Sequence, residues 1–224
     1  MRSIVLGLCI ALGMFCSAAV ADEAPRVVPA PALDNPLAPG DPQVAVLAGG
    51  CYWGMQTIFE HVKGVTRVVA GFTGPRAIDN DGSLTHRGQV PAESVQITFD
   101  PARITYGQLL QIYFSVAHDP TQVDRQGPDR GPQYRSAIFY ADNTQEKIAD
   151  AYIAQLNTAH AFQSDLATET VRLSAFNRVR ESEQDFAAKH PDLPYIVTVD
   201  EPRIAAMKAL FPNRFLNPPL TYTE

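Results

Sequence analysis

Cysteine is scarce in this chain, with three cysteines among 224 residues. Cys9 and Cys16 lie in an apolar N-terminal stretch, so Cys51 is the only cysteine in the remainder. We therefore expect no disulfide framework. Basic residues are outnumbered, 18 against 24 acidic, and they are not clustered, which argues against a nucleic-acid-binding surface. The apolar fraction of 46% is sufficient for one ordinary domain with its own core.

The N-terminus has the pattern of a secretory signal. Arg2 is followed by the apolar residues 4–20, and Ala19-Val20-Ala21 is a small-x-small cleavage site. This predicts a signal peptide over residues 1–21 and export, to a bacterial periplasm or out of the cell. An uncleaved membrane anchor is the alternative, because the apolar stretch is close to spanning length. Residues 22–42 are rich in proline and alanine and are interpreted as a flexible tether.

The periodicity of the rest mixes strands and helices. Strands are expected at residues 44–48, 65–72, 93–99, 136–140 and 169–173. Thr105 and Gln108 form a capping box before one helix, Asn143 is expected to cap a longer one, and Pro202 fits the first turn of a terminal helix. The elements do not alternate regularly as βαβα, which favours an α+β layered domain.

Cys51 stands between an apolar strand and a helix, with Gly49, Gly50 and Gly54 around it. A lone cysteine is most often a small buried apolar residue. Glycines at such a density instead indicate a close backbone approach or a positive φ, which a core cysteine does not need. A thiol at a helix N-terminus is also expected to favour its thiolate. We therefore predict a reactive thiol at Cys51.

Residues 50–54, Gly-Cys-Tyr-Trp-Gly, resemble the Gly-Cys-Phe-Trp-Gly signature of the A-type peptide methionine sulfoxide reductases. Residues 118–122 and 125–138 form a second, longer match, and residues 92–95 resemble the family's Ala-Glu-Ala-Val. The resemblance covers about residues 44–211. It implies an α+β domain over residues 43–212, a two-layer mixed sheet with packed helices around a ferredoxin-like core, followed by a tail at 213–224.

The resemblance also implies a reaction. The Cys51 thiolate attacks the sulfur of a methionine S-sulfoxide, free or within a protein, giving methionine and a sulfenic acid. Glu93, in an apolar pocket that raises its pKa, serves as general acid. The residues implied to contact the substrate are Tyr52, Trp53, Asp129 and Tyr134. No metal or cofactor is implied, a monomer is the default expectation, and the role is repair of oxidised methionine.

Four departures from the family pattern stand out. Tyr52 replaces a phenylalanine, and Glu183 replaces a histidine within residues 176–184. His86 lies where relatives carry a second active-site tyrosine, and it is the candidate for that substrate contact. The tail has no resolving cysteine, so an external thiol, from a thioredoxin-like protein or a small molecule, must reduce the oxidised Cys51.

Two other functions are compatible with these residues. The altered positions motivate a non-catalytic or weakened homologue that binds oxidised methionine segments. A cysteine hydrolase would need a base, for which His86, His118 and His160 are candidates, but no local signature supports any of them.

Overall fold

A six-stranded sheet is the frame of the computed structural model, which describes residues 24–74 and 90–222. Its strands are β1 (Gln43–Gly49), β2 (Val65–Thr73), β3 (Ala92–Phe99), β6 (Ser136–Tyr140), β7 (Glu169–Arg172) and β8 (Phe176–Arg178). A separate two-stranded ribbon consists of β4 (Arg125–Gln126) and β5 (Asp129–Arg130). The helices are α1 (Tyr52–Glu60), α2 (Tyr106–Ile112), α3 (Asn143–Thr158), α4 (Phe186–Lys189) and α5 (Glu201–Leu210). The predicted signal peptide and His86 lie outside the described residues.

The sheet topology confirms the expected α+β class. The strand order is β7-β6-β1-β3-β2-β8, and β6–β7 is the parallel pair while the other neighbours run antiparallel. The succession β1-α1-β2-β3-α2-β6 interleaves two split βαβ units, which is the ferredoxin-like arrangement. Within the described ranges, no helix is long and apolar enough to cross a membrane.

Strand β1 is buried on both of its faces. Ala45 and Leu47 belong to the main core with the helices, whereas Val46 and Ala48 belong to a smaller cluster on the opposite face. Successive side chains of a strand point to opposite faces, so a strand covered on both sides is apolar throughout. This explains the continuous apolar run that leads to Cys51.

The helix starts agree with the sequence in one case and differ in another. Both hydrogen bonds of the Thr105–Gln108 capping box are present at α2. At α3 the predicted cap, Asn143, was wrong: Asp142 precedes it and accepts the backbone N–H groups of Thr144 and Gln145 at 2.8 and 2.9 Å. Both residue types are good caps, so local pattern could not choose between them.

Residues 24–42 differ from the flexible tether that their composition predicts. They lie against the helices, with Val28 buried and the Tyr152 hydroxyl donating to the Pro29 carbonyl at 2.6 Å. The Gly107 N–H donates to Asp34 at 2.9 Å, and the Gln155 amide donates to the Ala30 carbonyl at 2.8 Å. Prolines reduce the entropy lost on fixing this segment, and helix side chains satisfy its backbone.

Candidate active site

Cys51 lies between the end of β1 and the first turn of α1. It is partly buried, and the backbone N–H of Trp53 is close enough to lower the pKa of its thiol. Gly50 turns the chain with a φ of +99°, and a Cβ there would lie 2.6 Å from the Gln126 Cγ. Only glycine satisfies both conditions without strain. The expectation that the glycines serve close approach and positive φ is confirmed.

Glu93 reaches the same point from β3, the neighbour of β1. Its carboxylate accepts the Tyr52 backbone N–H at 3.1 Å, which holds its charge close to the Cys51 thiol. Burial raises the pKa of Glu93 to about 7, opposed by the Tyr52 N–H and aided by the charge of Asp129. A carboxyl group with this pKa both donates and accepts protons near neutral pH.

The electrostatics of Cys51 correct the thiolate expectation. Burial and the nearby Glu93 carboxylate raise the pKa of Cys51 well above its ordinary value, and Asp200 and Asp129 raise it further. The Trp53 N–H lowers the pKa, as a helix N-terminus should, but desolvation and carboxylate charge outweigh it. The resting nucleophile is therefore a thiol beside a carboxylate.

Aromatic rings form one wall beside Cys51. The rings of Tyr52 and Trp53 meet edge-on with centroids 6.2 Å apart, and Trp53 stacks on Phe186 at 3.8 Å. Tyr52 also meets Phe72 edge-on at 5.7 Å. A cavity of about 700 Å³ opens next to Tyr52, and Phe72, Glu93 and Glu183 also line it, whereas Cys51 and Trp53 lie outside its lining. Such a cavity combines apolar walls with a few polar groups, as small-molecule sites do.

Asp129 and Tyr134 approach from the ribbon and the turn that follows it. The Tyr195 hydroxyl donates to the Asp129 carboxylate. Burial raises the pKa of Tyr134, and the charges of Glu93 and Asp129 add to the effect, so this phenol lies within the electrostatic reach of both carboxylates. The structure thus gathers Cys51, Glu93, Tyr52, Trp53, Asp129 and Tyr134 at one site. Their individual roles stay predictions.

Among the described residues, neither His118 nor His160 is seen to contact Cys51 as the base of a cysteine hydrolase would. The His118 Nε2 pairs with the Ser136 hydroxyl at 2.7 Å, and burial lowers the pKa of His118 to about 3. His160 is exposed beyond the end of α3. These contacts make His118 a neutral structural group and give the hydrolase hypothesis no support.

Comparisons with known proteins decide the family. The family model described as peptide methionine sulfoxide reductase matches residues 43–214. The chain belongs to this family. It is 46% identical over 189 residues to peptide methionine sulfoxide reductase MsrA 2 of Mesorhizobium japonicum, covering 84% of this chain and 96% of that protein. It is 40% identical over 213 residues to peptide methionine sulfoxide reductase MsrA 2 of Synechocystis, covering 93% of this chain and 98% of that protein.

Solved structures of the family share the fold. Methionine sulfoxide reductase A of Corynebacterium diphtheriae is 28% identical, with a TM-score of 0.54 over 75% of this chain and 92% of that one. The reduced form of Mxr1 from Saccharomyces cerevisiae is 24% identical, with a TM-score of 0.57 over 72% and 92%. These comparisons support the α+β architecture.

In this member of the peptide methionine sulfoxide reductase family, residues near the C-terminus complete the site in ways that sequence reasoning missed. Tyr195 binds Asp129, Phe186 stacks on Trp53, and Asp200 lies against Gly54, where a Cβ would come within 3.0 Å of its Cγ. The apolar run Pro194-Tyr195-Ile196 in polar surroundings was an available signal. Asp200 instead has the pattern of a helix cap, although it makes no side-chain cap hydrogen bond.

Proposed function

We propose that this chain reduces methionine S-sulfoxide, free or in proteins, to methionine, with Cys51 as the nucleophile. The observation that carries the proposal is the Cys51 thiol next to the Glu93 carboxyl group, whose pKa is about 7 and which accepts the Tyr52 N–H, beside the rings of Tyr52 and Trp53. An apolar wall suits the substrate methyl group, and the carboxyl group suits the oxygen. The family resemblance supports preference for the S epimer.

The first half-reaction needs only the proton that the site already holds. The thiol proton passes to Glu93, and the Cys51 thiolate attacks the sulfoxide sulfur. Glu93 returns the proton to the oxygen, and the new bond between the two sulfurs and the S–O bond of the substrate both break as the oxygen bonds to the Cys51 sulfur. The products are methionine, whose sulfur is reduced, and a sulfenic acid on Cys51, whose sulfur is oxidised.

The surrounding polar groups assist the oxygen. A sulfoxide oxygen is a strong acceptor and a poor leaving group, so donors directed at it favour the transition state. The Tyr134 phenol retains its proton at neutral pH because its pKa is raised, and it supplies one such donor. Asp129 holds the Tyr195 hydroxyl and so orders the neighbouring edge of the pocket.

Recycling requires an external thiol, because no second cysteine follows Cys51. One thiol condenses with the sulfenic acid to form a mixed disulfide and water, and a second thiol releases Cys51 and the oxidised donor. A thioredoxin-like protein or a small thiol fits this role. Export through residues 1–21, which we also propose, would place the reaction outside the cytoplasm, and N-terminal sequencing of the mature protein tests it.

A single-turnover experiment tests the reductase. Incubating the full chain with an S-sulfoxide peptide and no reductant should give about one methionine per Cys51 thiol, because the nucleophile is consumed once. A dithiol should then sustain turnover, and dimedone should label the sulfenic acid. The R-sulfoxide peptide and Cys51→Ser are the controls, and both should give none. Binding of the peptide without a first equivalent would instead identify the non-catalytic alternative.

A further inference from the structure

Glu183 contacts both aromatic residues that follow the nucleophile. Its Oε2 accepts the Trp53 indole N–H at 3.3 Å and the Tyr52 hydroxyl at 3.5 Å. One carboxylate oxygen therefore serves two donors on neighbouring residues of α1. Burial raises the pKa of Tyr52, with Glu93 and Glu183 adding to the effect, so the phenol remains a donor at neutral pH.

The turn that carries Glu183 is fixed to the sheet. Gln184 is fully buried, and its amide donates to the Ala70 carbonyl while its oxygen accepts the Ala70 N–H, both at 2.8 Å. The Gln56 amide donates to the same oxygen at 3.1 Å. Because these bonds tie residue 184 to β2 and α1, the carboxylate of the preceding residue has little freedom to leave the two rings.

The Tyr52 and Trp53 rings, which Glu183 contacts, also pack against other aromatic rings. Tyr52 and Trp53 meet at an interplanar angle of 85°, and Trp53 lies nearly parallel to Phe186, at 9°. Packing alone leaves each ring free to slide within its plane, whereas a hydrogen bond at the ring edge fixes that direction. Glu183 provides such a bond to both rings at once.

We propose that Glu183 is a positioning residue for the Cys51 reaction, which fixes the Tyr52 ring at the edge of the cavity and the Trp53 ring next to it. This inference rests on the proposed reductase function. Positions 52 and 183 are both departures from the family pattern, and the structure brings them together. A phenylalanine at position 52 would leave Glu183 without one of its two donors.

Kinetics provide the first test. Because hydrogen bonds to a charged group are the stronger class, Glu183→Ala should lower kcat/KM for a sulfoxide peptide about tenfold. Tyr52→Phe should have a smaller effect, and the double variant should be no slower than Glu183→Ala, since the two groups act together. Glu183→Gln keeps an acceptor oxygen and should recover most of the activity. Glu181→Ala, an exposed residue of the same turn, is the matched control.

Trp53 fluorescence reports the local position of the ring, which would not change if Glu183 contributed only to overall stability. Trp53 is the only tryptophan in the chain, so intrinsic emission reports this one site. Glu183→Ala should shift the emission maximum and lower the anisotropy of Trp53, while Glu181→Ala leaves both unchanged. The midpoint of thermal unfolding and the single methionine formed per thiol should stay near those of the wild type.

The outcomes separate the two proposals. If the wild type forms no first equivalent of methionine, the proposed function fails, and Trp53 emission alone then judges whether Glu183 fixes the ring. If the wild type is active but Glu183→Ala matches it in kcat/KM and emission, the positioning role is overturned. Should Glu183→Ala not fold, Glu183→Leu, which also removes the acceptor, takes its place, and multiplicative effects of Glu183→Leu and Tyr52→Phe in the double variant would contradict the shared acceptor.

Discussion

Above about pH 7, Cys51 and Glu93 carry a single proton between them. The thiol has a raised pKa and the carboxyl has a pKa of about 7, so above this pH the favoured state is a thiol beside a carboxylate. Such a pair titrates as a unit, with apparent pKa values that belong to both groups. The proton needed by the leaving oxygen is therefore already in the site when substrate arrives.

Glu93→Gln should change thiol acidity and catalysis in opposite directions. Removing the carboxylate removes a charge that raises the pKa of Cys51, so alkylation by iodoacetamide at pH 8 should become faster. Sulfoxide reduction should fall by about 10²- to 10⁴-fold, since the proton carrier is lost. Stopped-flow alkylation and single-turnover assays measure the two rates, with exposed Glu181→Gln as control. A slower alkylation together with unchanged reduction would refute the shared proton.

The residue scale also shows what the sequence could and could not predict. Cys51 and Glu93 were found as candidates because each stands in a recognisable local pattern, and the structure brings them into contact. The direction of the Cys51 pKa was predicted wrongly because it depends first on burial and then on the charge of Glu93, with smaller effects from Asp200 and Asp129, and all of these arise only on folding. Local pattern identifies the helix N-terminus but not the charges that folding brings to it.

At the scale of elements, the site depends on the contact between the starts of α1 and α5. Asp200 is 1% exposed, and burial raises its pKa to about 7. Neither carboxylate oxygen has a hydrogen-bond partner among the described residues. Gly54 leaves the space that this carboxyl group occupies. The two elements can approach this closely only because position 54 has no Cβ.

Gly54→Ala should destabilise the protein, although replacing glycine by alanine within a helix usually raises stability. The added methyl group would collide with the Asp200 carboxyl group and force α1 and α5 apart, at about 1–3 kcal/mol of unfolding free energy. Urea unfolding measures this, and Gly40→Ala, whose Cβ would meet Pro101 at an ordinary 3.9 Å, is the control. Adding Asp200→Ala should restore much of the loss. No recovery in the double variant would show that the collision is not the cause.

Elements were predicted as well as their local signals allowed. Strands β1 and β3 were found because buried runs and alternation persist over seven and eight residues. Strand β8 was missed because it has three residues at the sheet edge, and its pairing with β2 is set by tertiary contacts. The packed course of residues 24–42 was missed for a similar reason: its partners are side chains of α2 and α3.

For the whole molecule, the C-terminal tail is joined to the end of α1 through two acidic residues. The Tyr222 N–H donates to both Asp185 oxygens at 2.9 and 3.1 Å, and Glu60 is hydrogen-bonded to Asp185. Glu60 is 2% exposed, and burial raises its pKa to about 9, with the neighbouring Asp185 adding to the effect. Two carboxyl groups thus lie together where the tail returns to the domain.

This pair makes stability depend on pH. The pKa of Glu60 rises from 4.5 in the unfolded chain to about 9 in the fold, so between these values the folded state retains a proton that the unfolded state releases. Stability from this group is present below pH 4.5 and is lost as the pH rises towards 9, by at most about 1.4 kcal/mol per pH unit. Glu60→Gln cannot ionise and should flatten that slope.

Urea unfolding of the wild type and Glu60→Gln at pH 6, 7.5 and 9 measures the difference in slope. The variant should gain stability relative to the wild type at each step, and exposed Glu181→Gln should follow the wild type. The Asp185 carboxylate that holds the tail is repelled by Glu60 once Glu60 ionises. Limited proteolysis at pH 9 should therefore cleave the tail around Tyr222 faster in the wild type than in Glu60→Gln. Parallel slopes in the two proteins would show that Glu60 is not the group that titrates.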